Sequence, residues 1–410
     1  MPSHFRHRPQ AILVLLFLAS LLNYFDRQTL SILKVTIKGE FGMDDAGYSA
    51  LLTLFMAPYI AMYVLGGAFV DRVGSRVSMA IFVGVWSAAS CVAGFARNLW
   101  ELGVCRFVLG IAEPGNWTAG LRALSLLFPA SQRGLAVSIF SAGSALGSIL
   151  APPVIAWMAV RYGWRSAFVI PGVLGLAWVV AWFALYRSSD DSPATDGAPP
   201  LRMGELLRRR ELWGLLLARL VSDPVWYFYL FWIPGFFQEK LGLSLAAAGA
   251  IGWIPFLVAD IGGIGTSALA DKWVRGGIHP ISARKRVLFA SACCAPVGLI
   301  AVQTSSLAAV VVVFSLVGAM CLTWTFNTAT LVTDTFPKNS TGRVIGVIGA
   351  AGATGGLVFN SQIGGVVDRF GYGPVFVVAA VLHPLAALIV HVLVRPRAAS
   401  LAASRMNGFS

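Results

Sequence analysis

Charge is scarce in this chain: Asp, Glu, Lys and Arg supply 12% of its 410 residues, against about 25% in ordinary soluble domains. With 57% hydrophobic residues and a mean hydropathy of +0.75, that scarcity excludes a soluble globular protein and predicts an integral membrane protein. Long polar segments are missing as well. Apolar runs of ~20 residues succeed one another, and the loops between them are too short for a separate soluble domain. The runs are continuous rather than alternating, so helices are expected and not a barrel. Cysteine is rare: Cys91, Cys105, Cys293, Cys294 and Cys321 all fall in apolar segments. None of them has a CxxC spacing, so neither disulfides nor a metal site is expected. No phosphate-binding loop occurs, which argues against an ATP-driven pump. Nothing in the sequence calls for an enzyme or a cofactor.

Acidic residues are outnumbered by basic ones, 18 to 31, giving a net charge of +13. In a soluble protein that excess would suggest nucleic acid; here it falls in alternate loops, so no nucleic-acid partner is expected. His4, Arg6, His7 and Arg8 precede the first apolar run, which continues into "NYFDRQ" without a small-residue cleavage pattern and reads as a retained first span. Twelve helices are predicted, starting near residues 11, 47, 76, 98, 132, 164, 211, 246, 284, 306, 340 and 373. Basic residues at Arg6/Arg8, Arg72/Arg76, Arg133, 202–210, Lys272 to Arg286, Lys338/Arg343 and Arg395/Arg397 share one side of this scheme. The expectation is a bacterial inner-membrane protein with both termini cytoplasmic. Arg161, Arg165 and Arg369 fall on the other side, so the bias is incomplete.

The one polar insert, "RSSDDSPATDGAPPLRMGELLRRR", divides the chain into an N-terminal six-helix bundle (1–187), a linker (188–210) and a C-terminal six-helix bundle (211–410). The halves repeat at an offset of 208. Phe128-Pro129 returns as Phe336-Pro337, Gly134 as Gly342, Gly147 as Gly355, Arg161-x-Gly163 as Arg369-x-Gly371, and Phe168 as Phe376. Two six-helix halves in one orientation form a parallel repeat, an architecture of transporters that handle substrate near the bilayer midplane.

"GAFVDRVGSR" (67–76) follows the second helix and is echoed by "SALADKWVRGG" (267–277) after the eighth. The first resembles the loop signature of the major facilitator superfamily, with Ser75 at a position where a basic residue is usual. Gly67, Asp71, Arg72, Arg76 and Asp271 are therefore candidate gating residues: Gly67 for close helix approach, Asp71 for a helix N-terminus, the arginines for acids on closing. "NYFDRQTLSIL", "RFVLGIAEPGNWTAGLRALSLLFP", "SAGSALGSILAPPVIAW", "SDPVWYFYLFWIPGFF" and "PFLVADIGGIG" together resemble hexuronate transporters of the anion:cation symporter branch, over nearly the whole chain. Pro114, Thr118, Leu126 and Leu127 depart from the Ala, Pro, Glu and Trp usual there.

Charges within the apolar runs are the functional signal. A helix rising ~1.5 Å per residue carries Asp26 roughly 22 Å beyond Ala11, deep in a core of about 30 Å. Arg27, Arg106 and Glu113 are similarly placed, at about 2.5–3.5 kcal/mol each by insertion scales. Neighbours on a helix diverge by about 100°, so Asp26 and Arg27 need separate partners. The expected arrangement pairs Arg106 with Asp26, leaves Glu113 to take a proton, and leaves the planar fork of Arg27 for a carboxylate. A buried ion-pair network that merely joins two helices is the alternative.

The resemblance implies roles in proton coupling and carboxylate binding for Asp26, Arg27 and Glu113; Arg106 joins Asp26 and Glu113 in the coupling set as the expected partner of Asp26, with Arg27 at the substrate carboxylate. Asn23, Tyr24, Tyr59, Tyr63, Asn116, Ser141, Ser144, Trp226, Tyr227, Trp324, Asn327, Asn360 and Gln362 are candidates for the rest of a sugar-acid pocket, since rings stack on C–H faces and amides meet hydroxyls. Asp223, paired with Arg219, and Asp260 are read as gating or structural, and His383 and His391 as peripheral. The implied activity is uptake of a hexuronate anion such as galacturonate or glucuronate by proton symport, in a monomer with no cofactor. An aldonate or other carboxylate symporter, a substrate-sensing transceptor and a drug/proton antiporter remain as alternatives.

Overall fold

In the computed structural model the described residues are 8–187, 203–337 and 340–395; most of the linker, Lys338, Arg397 and both chain ends lie outside them. All the regular structure among these residues is helical. The first half contains α1 (Arg8–Ile32), α2 (Lys34–Phe41), α3 (Asp45–Val73), α4 (Ser75–Ala93), α5 (Leu99–Ala112), α6 (Gly115–Leu127), α7 (Ala130–Tyr162) and α8 (Ser166–Leu185). Beyond the linker come α9 (Met203–Leu207), α10 (Arg210–Glu239), α11 (Leu245–Gly252), α12 (Ile254–Arg275), α13 (Pro280–Ala292), α14 (Ile300–Gln303), α15 (Leu307–Thr335), α16 (Thr341–Phe370) and α17 (Gly373–Leu393). Among the described residues, ten helical segments are long and apolar enough to cross a membrane, counting α11–α12 and α13–α14 as one each. The remaining two expected spans are α5–α6, interrupted at Pro114, and α10, which carries Arg210, Glu211, Arg219, Asp223 and Glu239.

Helix starts fall within four residues of the expected positions, because caps and breakers sit at the ends of the apolar runs. Asp44 and Asn98 accept hydrogen bonds from the backbone amides of Gly47 and Glu101, at 2.8 and 2.9 Å, and Ser244 and Ser306 cap α11 and α15 in the same way. The 208-residue repeat is visible in the backbone. Gly163 and Gly371 end α7 and α16 at φ of 84° and 69°, a region that favours glycine. Gly147 packs on the Leu21 carbonyl of α1, and its repeat partner Gly355 on the Leu220 carbonyl of α10. Side chains at either site would push the helices apart.

The described residues form two compact units. One comprises 8–187 with 230–253, the other 203–229 with 254–395, so α10 is shared: its last ten residues pack with the first unit. Large apolar side chains such as Val64, Leu65, Val180, Ile261, Val358 and Val381 are turned outward. Asp26, Arg27, Arg106 and Glu113 are all buried. That inversion of the soluble pattern suits a lipid surround.

Within the first unit, an ion cluster joins three helix ends. The fully buried Lys34 ammonium lies 2.7 Å from Asp45 Oδ1 and 2.9 Å from Glu239 Oε2. Lys38 donates to the same two carboxylates at 2.8 and 3.1 Å. Lys34 also sits 4.4 Å from the centre of the Trp232 ring, and Tyr48 donates its hydroxyl to the Phe231 carbonyl at 2.7 Å. Two cations face two anions, which offsets the desolvation that Lys34 incurs. Burial pulls the Lys38 pKa down, but hydrogen bonds and charges from Asp45 and Glu239 outweigh it and hold the pKa above its ordinary value. Its contribution is therefore complete at neutral pH and fades only as pH climbs beyond the usual lysine range. Lys34→Ala leaves the two carboxylates short of a cation and should cost roughly 3 kcal/mol. The thermal midpoint in detergent is expected to fall by several degrees, with Arg72→Ala, at an exposed position, as the unchanged control; equal midpoints would contradict a stabilising role.

Candidate functional site

The four intramembrane charges of the first unit are set by two features. Successive residues on α1 point about 100° apart, so Asp26 faces α4 and Arg27 faces α3 and the end of α5. The proline after Glu113 has no N–H to continue the ladder. The span therefore breaks between α5 and α6, with the Glu113 amide still bonded to the Leu109 carbonyl at 2.9 Å. Glu113 stands at that break.

The pairing differs from the expected one. Arg27 is held by Glu113: its Nε donates to Oε2 at 2.9 Å, and its Nη2 lies 2.8 Å from the same oxygen. Nη2 also donates to the Tyr59 hydroxyl at 3.0 Å and to Asn23 Oδ1 at 3.4 Å, while the guanidinium lies over the rings of Tyr24 and Tyr59. Asn23 in turn donates to the Glu113 carbonyl at 3.4 Å, and Tyr63 packs edge-on to Tyr59. The fork read as open to a substrate anion is occupied by a protein carboxylate.

Asp26 is not paired with Arg106 either. Its Oδ1 accepts from the Ser90 hydroxyl at 2.7 Å, and its Oδ2 has no hydrogen-bond partner among the described residues. The Arg106 guanidinium lies over the Phe55 ring, 4.5 Å from its centre, and none of its three nitrogens meets an acceptor there. The seven-residue spacing returns Arg106 and Glu113 to one face, but places Arg106 two turns from the break, beside α3, while Ser90 of α4 takes the Asp26 carboxylate. Asp26, Arg106 and Glu113 are 1–2% exposed. In such surroundings an unmatched donor or acceptor is costly, which makes this cluster the candidate site of the unit.

Other expected pocket residues are divided between the units. In the first, Asn116 donates to the Ser20 hydroxyl at 3.1 Å, Ser141 to the Val137 carbonyl, and Ser144 is half-buried on α7. In the second, Trp226 and Tyr227 are half-buried on α10, and Trp226 meets Phe256 edge-on. Asn360 donates to the Gly356 carbonyl, Asp260 is half-buried on α12, and Gln362 is exposed. Asn327 serves a charge cluster: its Oδ1 accepts from Arg284 at 3.4 Å, and its Nδ2 donates to the Thr323 carbonyl at 2.9 Å. Arg219 pairs with Asp223 at 2.7 Å and reaches Thr328, as the four-residue spacing suggests. His383, read as peripheral, is 1% exposed and meets Trp324 edge-on at 5.4 Å. Its helix turns that face inward, whereas His391 is exposed.

Among the candidate gating residues, Asp71 pairs with Arg122 of α6 at 2.8 Å rather than with a helix N-terminus. Arg76 donates to the Tyr186 carbonyl at 2.6 Å, closing the end of α8, and Arg72 is exposed. Gly67 faces open space, so it is not a point of close helix approach; Gly74, at φ 84°, is where the loop requires glycine. Asp271 forms an ion pair with Arg284, which also lies 3.7 Å from Asp334. Sequence reasoning passed over Ser90, Arg122, Arg284 and the Lys34 cluster. Lys34 carried a signal, a cation directly after the apolar "SIL"; Ser90 carried none that separates it from its neighbours Ser87 and Cys91.

Comparison with known proteins matches residues 16–360 to the Major Facilitator Superfamily. The "Hexuronate transporter" of Escherichia coli (strain K12) is 29% identical over 409 residues, with 92% of each chain covered. The "Probable L-galactonate transporter" of the same strain is 31% identical, covering 73% of this chain and 70% of its own. The "Galacturonate transporter" of Dickeya chrysanthemi is 30% identical, covering 60% and 77%. A bacterial homologue of the human lysosomal transporter Spinster, solved in an inward-facing and occupied conformation, superposes with a TM-score of 0.77 at 18% identity, covering 94% of this chain and 97% of its own; that likeness concerns the fold. Buried charge on an all-helical frame, the 208-residue repeat and a family match over most of the chain lead to one conclusion: the chain belongs to the Major Facilitator Superfamily, as a membrane transporter and not an enzyme.

Proposed function

We propose that the protein imports a sugar-acid anion, a hexuronate such as galacturonate or glucuronate, by proton symport with alternating access. It would work as a monomer without a cofactor, in a bacterial inner membrane with both termini cytoplasmic. The observation that carries the reading is the Arg27–Glu113 pair. A planar fork suited to a carboxylate is occupied by Glu113, so an incoming carboxylate has to displace it. A proton on Glu113 removes the competing charge and frees Arg27, which makes proton uptake and anion binding mutually favourable. Arg106 supplies a second buried cation within electrostatic reach of both acids, Asp26 and Glu113. Asn23, Tyr59, Tyr63, Asn116, Ser144, Trp226, Tyr227, Trp324, Asn327 and Asn360 are proposed to serve the sugar hydroxyls and ring faces. The Asp71–Arg122 and Asp271–Arg284 pairs, with Arg72 and Arg76, are assigned to gating.

The relatives support the cargo class, since their names are those of hexuronate, galacturonate and galactonate transporters. The galactonate relative, at 31% identity, favours an aldonate as the second reading. Moving a monoanion into a negative interior costs about 2.3 kcal/mol per 100 mV, and one proton only cancels that charge. Two acids, Asp26 and Glu113, permit the second proton that would let voltage drive uptake.

Reconstitution in proteoliposomes tests the reading directly: an inward proton gradient should drive accumulation of galacturonate, glucuronate or galactonate. Binding without accumulation would indicate a sensor, and export a drug antiporter. Arg27→Ala should weaken carboxylate binding at least 100-fold, about 2.7 kcal/mol, with Arg27→Lys recovering only part because the fork is lost; unchanged affinity would remove Arg27 from the anion site. Glu113→Gln should abolish proton-driven accumulation while counterflow persists, and its substrate affinity should be flat between pH 5.5 and 8. Loss of counterflow together with binding would place Glu113 in the ligand site or the scaffold instead.

A further inference from the structure

The Ser90 hydroxyl stands between two acceptors on different helices. It lies 2.7 Å from Asp26 Oδ1 on α1 and 3.1 Å from the Phe168 carbonyl on α8. It has one proton to donate, so the two acceptors compete for it. Ser90 itself is fixed, because α4 and α8 meet through glycine: a Cβ on Gly172 would come within 2.6 Å of the Ser87 carbonyl, and Gly175 packs directly on the Ser87 side chain. One residue along, Cys91 Sγ approaches the Val169 carbonyl at 3.6 Å. With both backbones locked, the hydroxyl rotor is the part free to respond.

We infer that Ser90 is a positioning residue that reads the charge on Asp26 and changes its hydrogen-bond partner accordingly. This rests on the proposal that Asp26 carries a coupling proton. An ionised carboxylate is the strongest acceptor present, and hydrogen bonds to it are roughly twice as strong as neutral ones. While Asp26 is charged, Ser90 donates to it and ties α1 to the α4–α8 seam. When Asp26 gains a proton, its remaining carbonyl oxygen becomes a weaker acceptor than a peptide carbonyl. Ser90 then turns its proton to Phe168, whose oxygen has a second lone pair beyond its helical bond. No covalent bond of Ser90 is broken; the only proton gained is the one on Asp26. The exchange converts a charge change on α1 into a weaker hold of α1 on the α4–α8 pair.

Few other groups compete. Arg106 of α5 and Glu113 at the break after it reach Asp26 electrostatically, and Cys91 is its titratable neighbour on α4. Arg27 on α1 is turned to Glu113. The α8 sequence contains no charged residue, Arg133 and Arg161 lie near the ends of α7, and Arg122 of α6 is paired with Asp71.

The test is the pH profile of galacturonate uptake in proteoliposomes for the full chain and for Asp26→Asn, Ser90→Ala and Ser90→Cys. Loss of the hydroxyl removes a bond made preferentially to charged Asp26, so the midpoint in Ser90→Ala should move to higher pH by about one unit. Ser90→Cys, nearly the same size with a weak donor, should move it the same way and serves if the alanine variant does not fold. Asp26→Asn should lose the Asp26-dependent limb of the profile. If Asp26→Asn loses that limb while both Ser90 variants superpose on the parent, the inference about Ser90 is overturned and the coupling proposal stands. If Asp26→Asn keeps the parent profile, the assignment of a coupling proton to Asp26 fails, and this inference with it.

Discussion

Everything in the first unit turns on keeping ionised groups inside an apolar bundle. Arg27 and Glu113 meet that constraint together: two charges that would each be costly in hydrocarbon share three helices' worth of hydrogen bonding. Tyr59 and Asn23 are not ornaments on the pair. They satisfy donors that a single carboxylate oxygen leaves over, and their rings and amides cover the guanidinium from water and lipid alike. The helix break at Pro114 is part of the same solution, since it places Glu113 where Arg27 can reach it.

The neighbouring acid is solved differently. Asp26 relies on one serine, and Arg106 on the face of Phe55, so the cluster is neutral in sum yet locally unmatched. A fully matched network would be a rigid structural clamp. This one keeps one strong pair and leaves the other charges apart, the condition under which a proton or an anion can change which pairs exist. The second unit has its own pairs, Arg219 with Asp223 within α10 and Arg284 of α13 with Asp271 of α12.

Much of the fold was legible because its signals are local. Apolar runs bounded by Asp44, Asn98, Ser244 and Ser306 give helix starts, and the paired glycines Gly163 and Gly371 end equivalent helices because their backbone angles suit few other residues. The site was legible only in part. The angle between successive residues on α1 says that Asp26 and Arg27 diverge, and they do. It does not say which neighbouring helix each will meet, since that depends on packing through Gly143, Gly147, Gly172 and Gly175. Asp26 therefore found a serine where an arginine was expected. Gly67 failed for the opposite reason: a motif position was read as a contact, and the contact is absent because its face of α3 is open.

The break at Pro114 also bears on how the chain enters a bilayer. At ~1.5 Å per residue, α5 and α6 are each about 20 Å long, and neither alone spans a core of about 30 Å. Between them they carry Arg106, Glu113 and Arg122, whose insertion from the translocon is unfavourable. The fourth span is thus poorly equipped to enter as an independent helix. It depends on earlier spans already in place, α1 to meet Glu113 with Arg27 and α3 to offer Phe55 and Asp71, so the residues assigned to transport also set an order of assembly.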